Sequence, residues 1–336
     1  MAATLADIRT KVRLITRSPS ESQLTDNSID DYVNNFLLYD FPENLRLFTF
    51  RKVLTFYTDP YIADYDTNTI NATDPLADFK NAYITTHDPV YIGGYKVYFT
   101  QSRNDFYGLY PAVQAQIQIG TGDGVTVAFD GTLSATPILM GQLIFTSYDA
   151  NNEGLVLNDV PTIDPVTGHR YILGDLFVPN TGVAVGSINY VTGDYTFTFP
   201  AAPETGAEIY AHLVQVPTGR PMSMLYFDNT FTIRPVPDKV YQVSIETYVR
   251  PTSLENDAAA KPILEQHWQY IAYGAAKKVF EDRMDLESVQ LIMPEFTHQE
   301  LLCQRRTIVQ QSNERVATIY SQRNSSGYNG YNNNNY

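Results

Sequence analysis

Apolar residues near the start of the chain recur at helical intervals. In "TLADIRTKVRLIT", Leu5, Ile8, Val12 and Ile15 fall three and four apart, which predicts an amphipathic helix with one face to bury. A second helix is predicted in "LTDNSIDDYVNNFLLYDFPENL". There Thr25 or Asp26 supplies an N-cap, Ile29, Val33, Phe36 and Leu37 form the apolar face, and Pro42 is expected to end the helix. The following "LRLFTFRKVLTFYTDP" is rich in β-branched and aromatic residues and reads as a strand or hairpin.

Residues 61–110 read as loop-rich. "DYDTNTINATDPLADF" is acidic turn material, and "YIGGYKVYFTQSRNDFYGLYP" reads as a strand followed by irregular chain. From Val113 to Gln215 the texture changes to short alternating strands separated by glycine turns, which predicts an all-β domain, a compact sandwich or small barrel. Within it, Thr192, Gly193 and Asp194 predict a tight turn into a strand whose Tyr195, Phe197 and Phe199 share one face. After this stretch, Tyr241, Val243, Ile245 and Thr247 alternate with Gln242, Ser244, Glu246 and Tyr248. That strand is expected beside "LTFYT", so residues 113–215 would be an insertion between paired parts of one core.

The helical period returns in "KPILEQHWQYIAYGAAKKVFEDR". Pro262 suits a first helical turn, and Leu264, Trp268, Ile271, Ala275 and Val279 form one stripe, expected to pack the helix or to assemble a ring. A further long helix runs from Asp285, is interrupted or kinked at Pro294, and continues through Leu301, Leu302, Ile308, Val309 and Val316, a spacing suited to packing along a partner helix. The chain then closes on "SSGYNGYNNNNY", which has no aliphatic residue and no period. Such a segment cannot recover its ordering entropy in a fold of its own, but its tyrosines suit an interface. The expected architecture is α+β: a helical bundle with a small antiparallel sheet from 1–112 and 216–323, an inserted all-β domain at 113–215, and a tail at 324–336.

Composition narrows the function. The hydrophobic content of 43% supplies real cores, no stretch has the roughly 18 apolar residues of a membrane span, and the charged start has no signal-peptide core. A net charge of −14 and a pI near 4.7 oppose tight nucleic-acid binding, which needs Lys and Arg to displace counterions. The single Cys303 excludes an internal disulfide and reads as a buried spectator.

The search for chemistry returns little. His87, His169, His212, His267 and His298 are scattered without metal-ligand spacing. Asp64, Asp66 and Asn68 begin like a calcium loop, but Thr69 stands where glycine is needed and Pro75 where the bidentate Glu belongs. Gly120, Gly122 and Gly124 are followed by strand alternation, so a hairpin turn is expected there in place of a phosphate loop. Glu281 and Asp282 read as helix-end carboxylates, and Trp268, Tyr270 and Tyr273 as packing aromatics. No catalytic residue, metal or cofactor is expected.

In its order of elements the chain resembles the bacteriophage head-to-tail adaptor proteins, the connector ring beneath the portal, called tail tubular protein A in short-tailed phages. The likeness rests on "LADIRTKVRLIT", "LTDNSIDDYVNNFLLYDFPENLRLFTFRK", "FTIRPVPDKVYQVSIETYVRP" and "HWQYIAYGAAKKVFEDR" with its long continuation. It implies a non-enzymatic virion protein of the head-tail interface, assembled from the host cytoplasm as a ring, usually of twelve copies, around a channel that DNA crosses without specific binding. Its implied partners are the portal protein, the next tail or nozzle component and further copies of itself, with no membrane. Typical short adaptors lack an insertion such as 113–215. The resemblance also implies a C-terminal segment that reaches into the portal, which gives Tyr328, Tyr331 and Tyr336 a role as anchors. The alternative is a carbohydrate-binding virion or tail-fibre module acting through the β-insert.

Overall fold

The computed structural model describes residues 3–312, apart from 46, 68–73, 78, 112, 164–169, 255–256 and 263–264. It shows a mixed α+β fold with two large sheets. The helices among the described residues are α1 (Leu5–Ile15), α2 (Asp26–Asn35), α3 (Phe41–Asn44), α4 (Phe79–Ala82), α5 (Arg103–Leu109), α6 (Trp268–Asp282) and α7 (Leu286–Ser312). The chain divides into two compact units, a helical one from residues 1–52 and 248–336 and a β-rich one from 53–247.

The helical unit forms where the apolar period predicts it. Leu5, Ile8 and Val12 of α1 and Ile29 and Val33 of α2 are fully buried, and α6 packs against both helices and against α7. Thr25 Oγ1 caps α2 by accepting from the Ser28 N–H at 3.1 Å. The helix does not stop at Pro42. It widens into a π-helical turn over Phe36–Asp40, where the Phe41 N–H donates to the Phe36 carbonyl five residues back, and continues as α3. The wider turn places Pro42 at the start of a new α-turn, where a missing N–H costs nothing. The same turn delivers Phe36 and Phe41 into a cluster with Phe50, Tyr270 and Phe296, with centroid separations of 5.1–6.5 Å.

Two arginines one turn apart on α1 face two aspartates one turn apart on α2. Arg9 holds the buried Asp30 by two hydrogen bonds, Nε at 2.7 Å and Nη2 at 2.5 Å, and Arg13 Nη2 donates to Asp26 at 2.6 Å. The fork geometry of Arg9 suits a bidentate carboxylate and fixes the register of the two helices.

The strands of the β-rich unit are β1 (Arg51–Tyr57), β2 (Asp64–Asp66), β3 (Tyr83–Ile92), β4 (Tyr95–Thr100), β5 (Val113–Thr121), β6 (Ala128–Thr132), β7 (Ile144–Tyr148), β8 (Gly154–Ile163), β9 (Arg170–Phe177), β10 (Ala184–Asn189), β11 (Asp194–Thr198), β12 (Glu208–Gln215), β13 (Thr218–Gly219), β14 (Ser223–Phe227), β15 (Thr230–Arg234), β16 (Val236–Pro237) and β17 (Gln242–Val249). One sheet has the order β1-β17-β3-β4-β14-β15-β2, so β17 lies beside β1 as the alternating pattern predicts. β3 and β4 are joined by Gly93 and Gly94, both at positive φ, and the chain after β4 is the ordered helix α5 where irregular structure is expected. Ser102 is the N-cap that makes this helix possible, accepting from the Asp105 N–H at 3.4 Å.

The other sheet has the order β5-β12-β7-β8-β9-β10-β11-β6. Its two outermost strands, β5 and β6, are consecutive in the chain, so the sheet curls into a near-barrel around Phe145, Leu157, Leu176, Phe197, Phe199 and Ile209. The glycine run at 120–124 is therefore no hairpin. β5 pairs with β12 and β6 with β11, and the connection between them lies across the 203–207 turn. Gly122 is fixed there by contact: a Cβ would stand 2.3 Å from the Glu204 carbonyl oxygen. The expected turn forms at 190–193, two residues earlier than predicted, with Asp194 already in β11 and Tyr195, Phe197 and Phe199 buried on one face.

Candidate functional surfaces

The helix α6 begins later than its sequence predicts. A 3-10 turn at Glu265–His267 precedes it, and Trp268 is its first residue. Of the predicted stripe, Leu264 lies outside the described residues and Trp268 is half-buried. Ile271, Ala275 and Val279 are at most 1% exposed and pack the helical unit's own interior, with Tyr270 beside them. Tyr328, Tyr331 and Tyr336, with the rest of the 324–336 tail, also lie outside the described residues.

α7 is 27 residues long with Pro294 inside it, which at 1.5 Å per residue spans about 40 Å. One side is buried through Phe296 and Cys303, and burial pushes the Cys303 thiol up to about 12, so it stays protonated and unreactive. Leu291, at 71% exposure, and Leu302, at 39%, lie on another side of the helix. Eleven residues bring a helix back to nearly the same azimuth after three turns, so these leucines form a line about 16 Å long. Leu286 and Leu301 are also exposed, at 71% and 50%.

Among the described residues no cluster of His, Cys, Asp and Glu could hold a metal ion. The perturbed carboxylates have structural partners. Asp123 accepts from the Val125 and Thr126 N–H groups and from Thr126 Oγ1, which together hold its carboxyl down to about 2. Asp194 accepts from Thr132 and Thr192 in the hairpin turn, and Asp285 caps α7 through Ser288, each with its pKa lowered by those bonds. Asp282, expected as a helix-end carboxylate, accepts from Tyr32 Oη at 2.8 Å. Asp64 and Asp66 belong to β2, where Asp64 accepts from Thr232 Oγ1 at 2.8 Å, so they form a strand and not a solvated loop.

The outer face of the near-barrel carries a feature that the sequence did not reveal. Cross-strand register aligns Gln116 of β5, His212 of β12, Ile144 of β7, Asn158 of β8 and Phe177 of β9 in one row. Their sequence neighbours Phe145, Leu157, Leu176 and Ala211 point into the core, which puts the row outside. Two adjoining grooves of about 550 and 560 Å³ run along it, sharing Ile144 and Asn158. His212 Nε2 lies 3.0 Å from Thr146 Oγ1, and Asn158 Oδ1 is buried with no hydrogen-bond partner. The floor is held from below by Asp159, which accepts from the Gly141 N–H, the Leu143 N–H and Tyr190 Oη at 2.7–2.8 Å. A signal for this row exists in the alternating glutamines of "QAQIQI", but nothing local says which strands lie beside them.

No protein-family model matches the chain, and no curated protein matches it with significance.

Proposed function

We propose that the chain is a non-enzymatic structural protein of a phage virion, a head-to-tail connector that joins the portal to the tail as a ring and leaves a channel for DNA. In this reading the helical unit and the seven-stranded sheet are the adaptor-like core and the eight-stranded near-barrel is its insertion. The observation that carries the proposal is α7. A helix of this length, buried on one side and lined with exposed leucines on another, is shaped for a neighbouring subunit. Covering a leucine that is already partly buried, such as Leu291 at 71% exposure, stabilises an assembly by about 1–2 kcal/mol, so a ring gains from every copy. The net charge of −14 suits a wall past which phosphates slide.

The test is assembly on a template. Mass photometry of the purified protein is expected to show a monomer alone and a ring when the portal from the same genome is added, because a preformed partner removes much of the orientational cost of association. Leu291→Glu with Leu302→Glu should abolish the ring while leaving helical circular dichroism unchanged. An absence of portal-dependent association, or assembly indifferent to both substitutions, overturns the proposal.

A further inference from the structure

We propose that the outer row of the near-barrel is a binding cleft for a neutral oligosaccharide, a site that stands whether or not the protein is a connector. The row crosses β5, β12, β7, β8 and β9, and four strand spacings of about 4.8 Å make it roughly 19 Å long. That length suits a short extended oligomer.

The chemistry of the lining selects the ligand. Among the described residues the two grooves contain no Lys, Arg or Glu, and their one carboxylate, Asp159, is occupied by two backbone N–H groups and a tyrosine hydroxyl. A phosphate or sulfate would find no cation there, and a cationic ligand no free anion. What remains is amides at Gln116 and Asn158, the imidazole of His212, and an apolar surface at Ile144 and Phe177. Side-chain amides present a donor and an acceptor together, which matches neighbouring hydroxyls on a sugar ring, while the apolar residues take its C–H face.

Asn158 adds a second, independent sign. Its Oδ1 is buried and unpartnered at the wall shared by both grooves, and a buried polar atom without a partner costs free energy. Rotation of the amide toward the groove lets a ligand hydroxyl satisfy it. A peptide is the weaker candidate: β12, β7 and β8, which floor the grooves, are each paired on both sides, so their backbones are closed to a peptide strand.

The experiment uses the full chain against maltohexaose, cellohexaose and tetra-N-acetylchitotetraose, with a heparin-derived oligosaccharide and an extended peptide library as contrasts. Calorimetry should detect binding to at least one neutral oligomer. Asn158→Ala and His212→Ala should each weaken it about tenfold, as the loss of a ligand hydrogen bond implies. Because a variant could lose binding by misfolding, the unmodified protein is also titrated by NMR, where the His212 ring resonances should move while those of His298 on α7 stay in place. The proposal is overturned if no neutral oligomer binds at millimolar concentration, if only the heparin fragment or peptides bind, if both substitutions leave binding intact, or if His212 does not respond.

Discussion

Gly274 sits in the middle of α6 with its Cα against the ring of Phe36, and replacing it with alanine opposes two effects of known size. In an open helix the change stabilises by up to about 1 kcal/mol, the difference in helix propensity. Here the new Cβ would stand 2.4–2.5 Å from Phe36 Cε1, Cζ and Cε2, whereas carbon atoms in contact settle near 3.5–4.0 Å. The ring must retreat by about 1 Å. It cannot do so freely, because Phe36 is 2% exposed and its ring already meets Phe41, Tyr270 and Phe296 at centroid distances of 5.3–6.5 Å. Overpacking of this kind costs about 1–3 kcal/mol, so Gly274→Ala is expected to destabilise the helical unit by up to about 2 kcal/mol net. Trp268, the single tryptophan, lies on the same helix, so its fluorescence in a urea titration reports on this unit alone. Phe36→Leu in the alanine background should recover part of the loss, with a coupling of about 1 kcal/mol. If alanine stabilises the unit, or if the two changes are additive, the ring is not held as described.

Asp30→Ala leaves the Arg9 guanidinium, 13% exposed, without its bidentate partner, and should lower the urea midpoint of the Trp268 signal by the equivalent of about 2–3 kcal/mol. Asp159 has its pKa raised by burial, so the folded state holds this proton to higher pH than the unfolded chain does; stability should fall as pH rises from about 4 through the raised value. Asp159→Asn should flatten that slope in urea titrations followed by tyrosine near-ultraviolet circular dichroism. Replacing 113–215 with a short Gly-Ser linker should preserve the helical circular dichroism, because α1, α2, α6 and α7 draw their core from other residues; loss of that signal would show the helical unit depends on the near-barrel. Changing Tyr328, Tyr331 and Tyr336 together to Ser should abolish capture by a portal ring without moving the melting temperature, and retention of capture would return the tail to an ordinary solvated terminus.

The parts of the fold that were legible are those whose signal is local. The three-and-four spacing in α1 and α2 names the buried residues, because a helix brings them to one face whatever lies opposite. Alternation in β17 and β11 works for the same reason. The π-turn at Phe36–Asp40 was not legible: Pro42 does signal a break, but whether the chain stops or widens depends on the aromatic cluster that receives Phe36 and Phe41. The late start of α6 has a similar origin, since Glu265–His267 satisfy a helical pattern yet form only a 3-10 turn.

The glycines at 120–124 illustrate the limit most directly. Read locally, they turn one strand back on the next, because a two-stranded hairpin is the shortest route to pairing. In the fold, β5 and β6 stand at opposite ends of the strand order and pair with β12 and β11, and two of the glycines are needed for different non-local reasons: Gly122 lies against the carbonyl of Glu204, and Gly124 takes φ +79° beside Thr205. Strand order therefore decides what these residues do, and strand order is set by which hydrophobic faces find each other across long stretches of chain. The outer row has the same dependence. Gln116, Ile144, Asn158, Phe177 and His212 come from five strands and share nothing in sequence. Only the register of the near-barrel makes them neighbours, and that register is held by inward side chains, Phe145, Leu157, Leu176 and Ala211, that take no part in the cleft. A one-residue slip in any of these strands would exchange the two sets, so the core that fixes the barrel also fixes the chemistry of its surface.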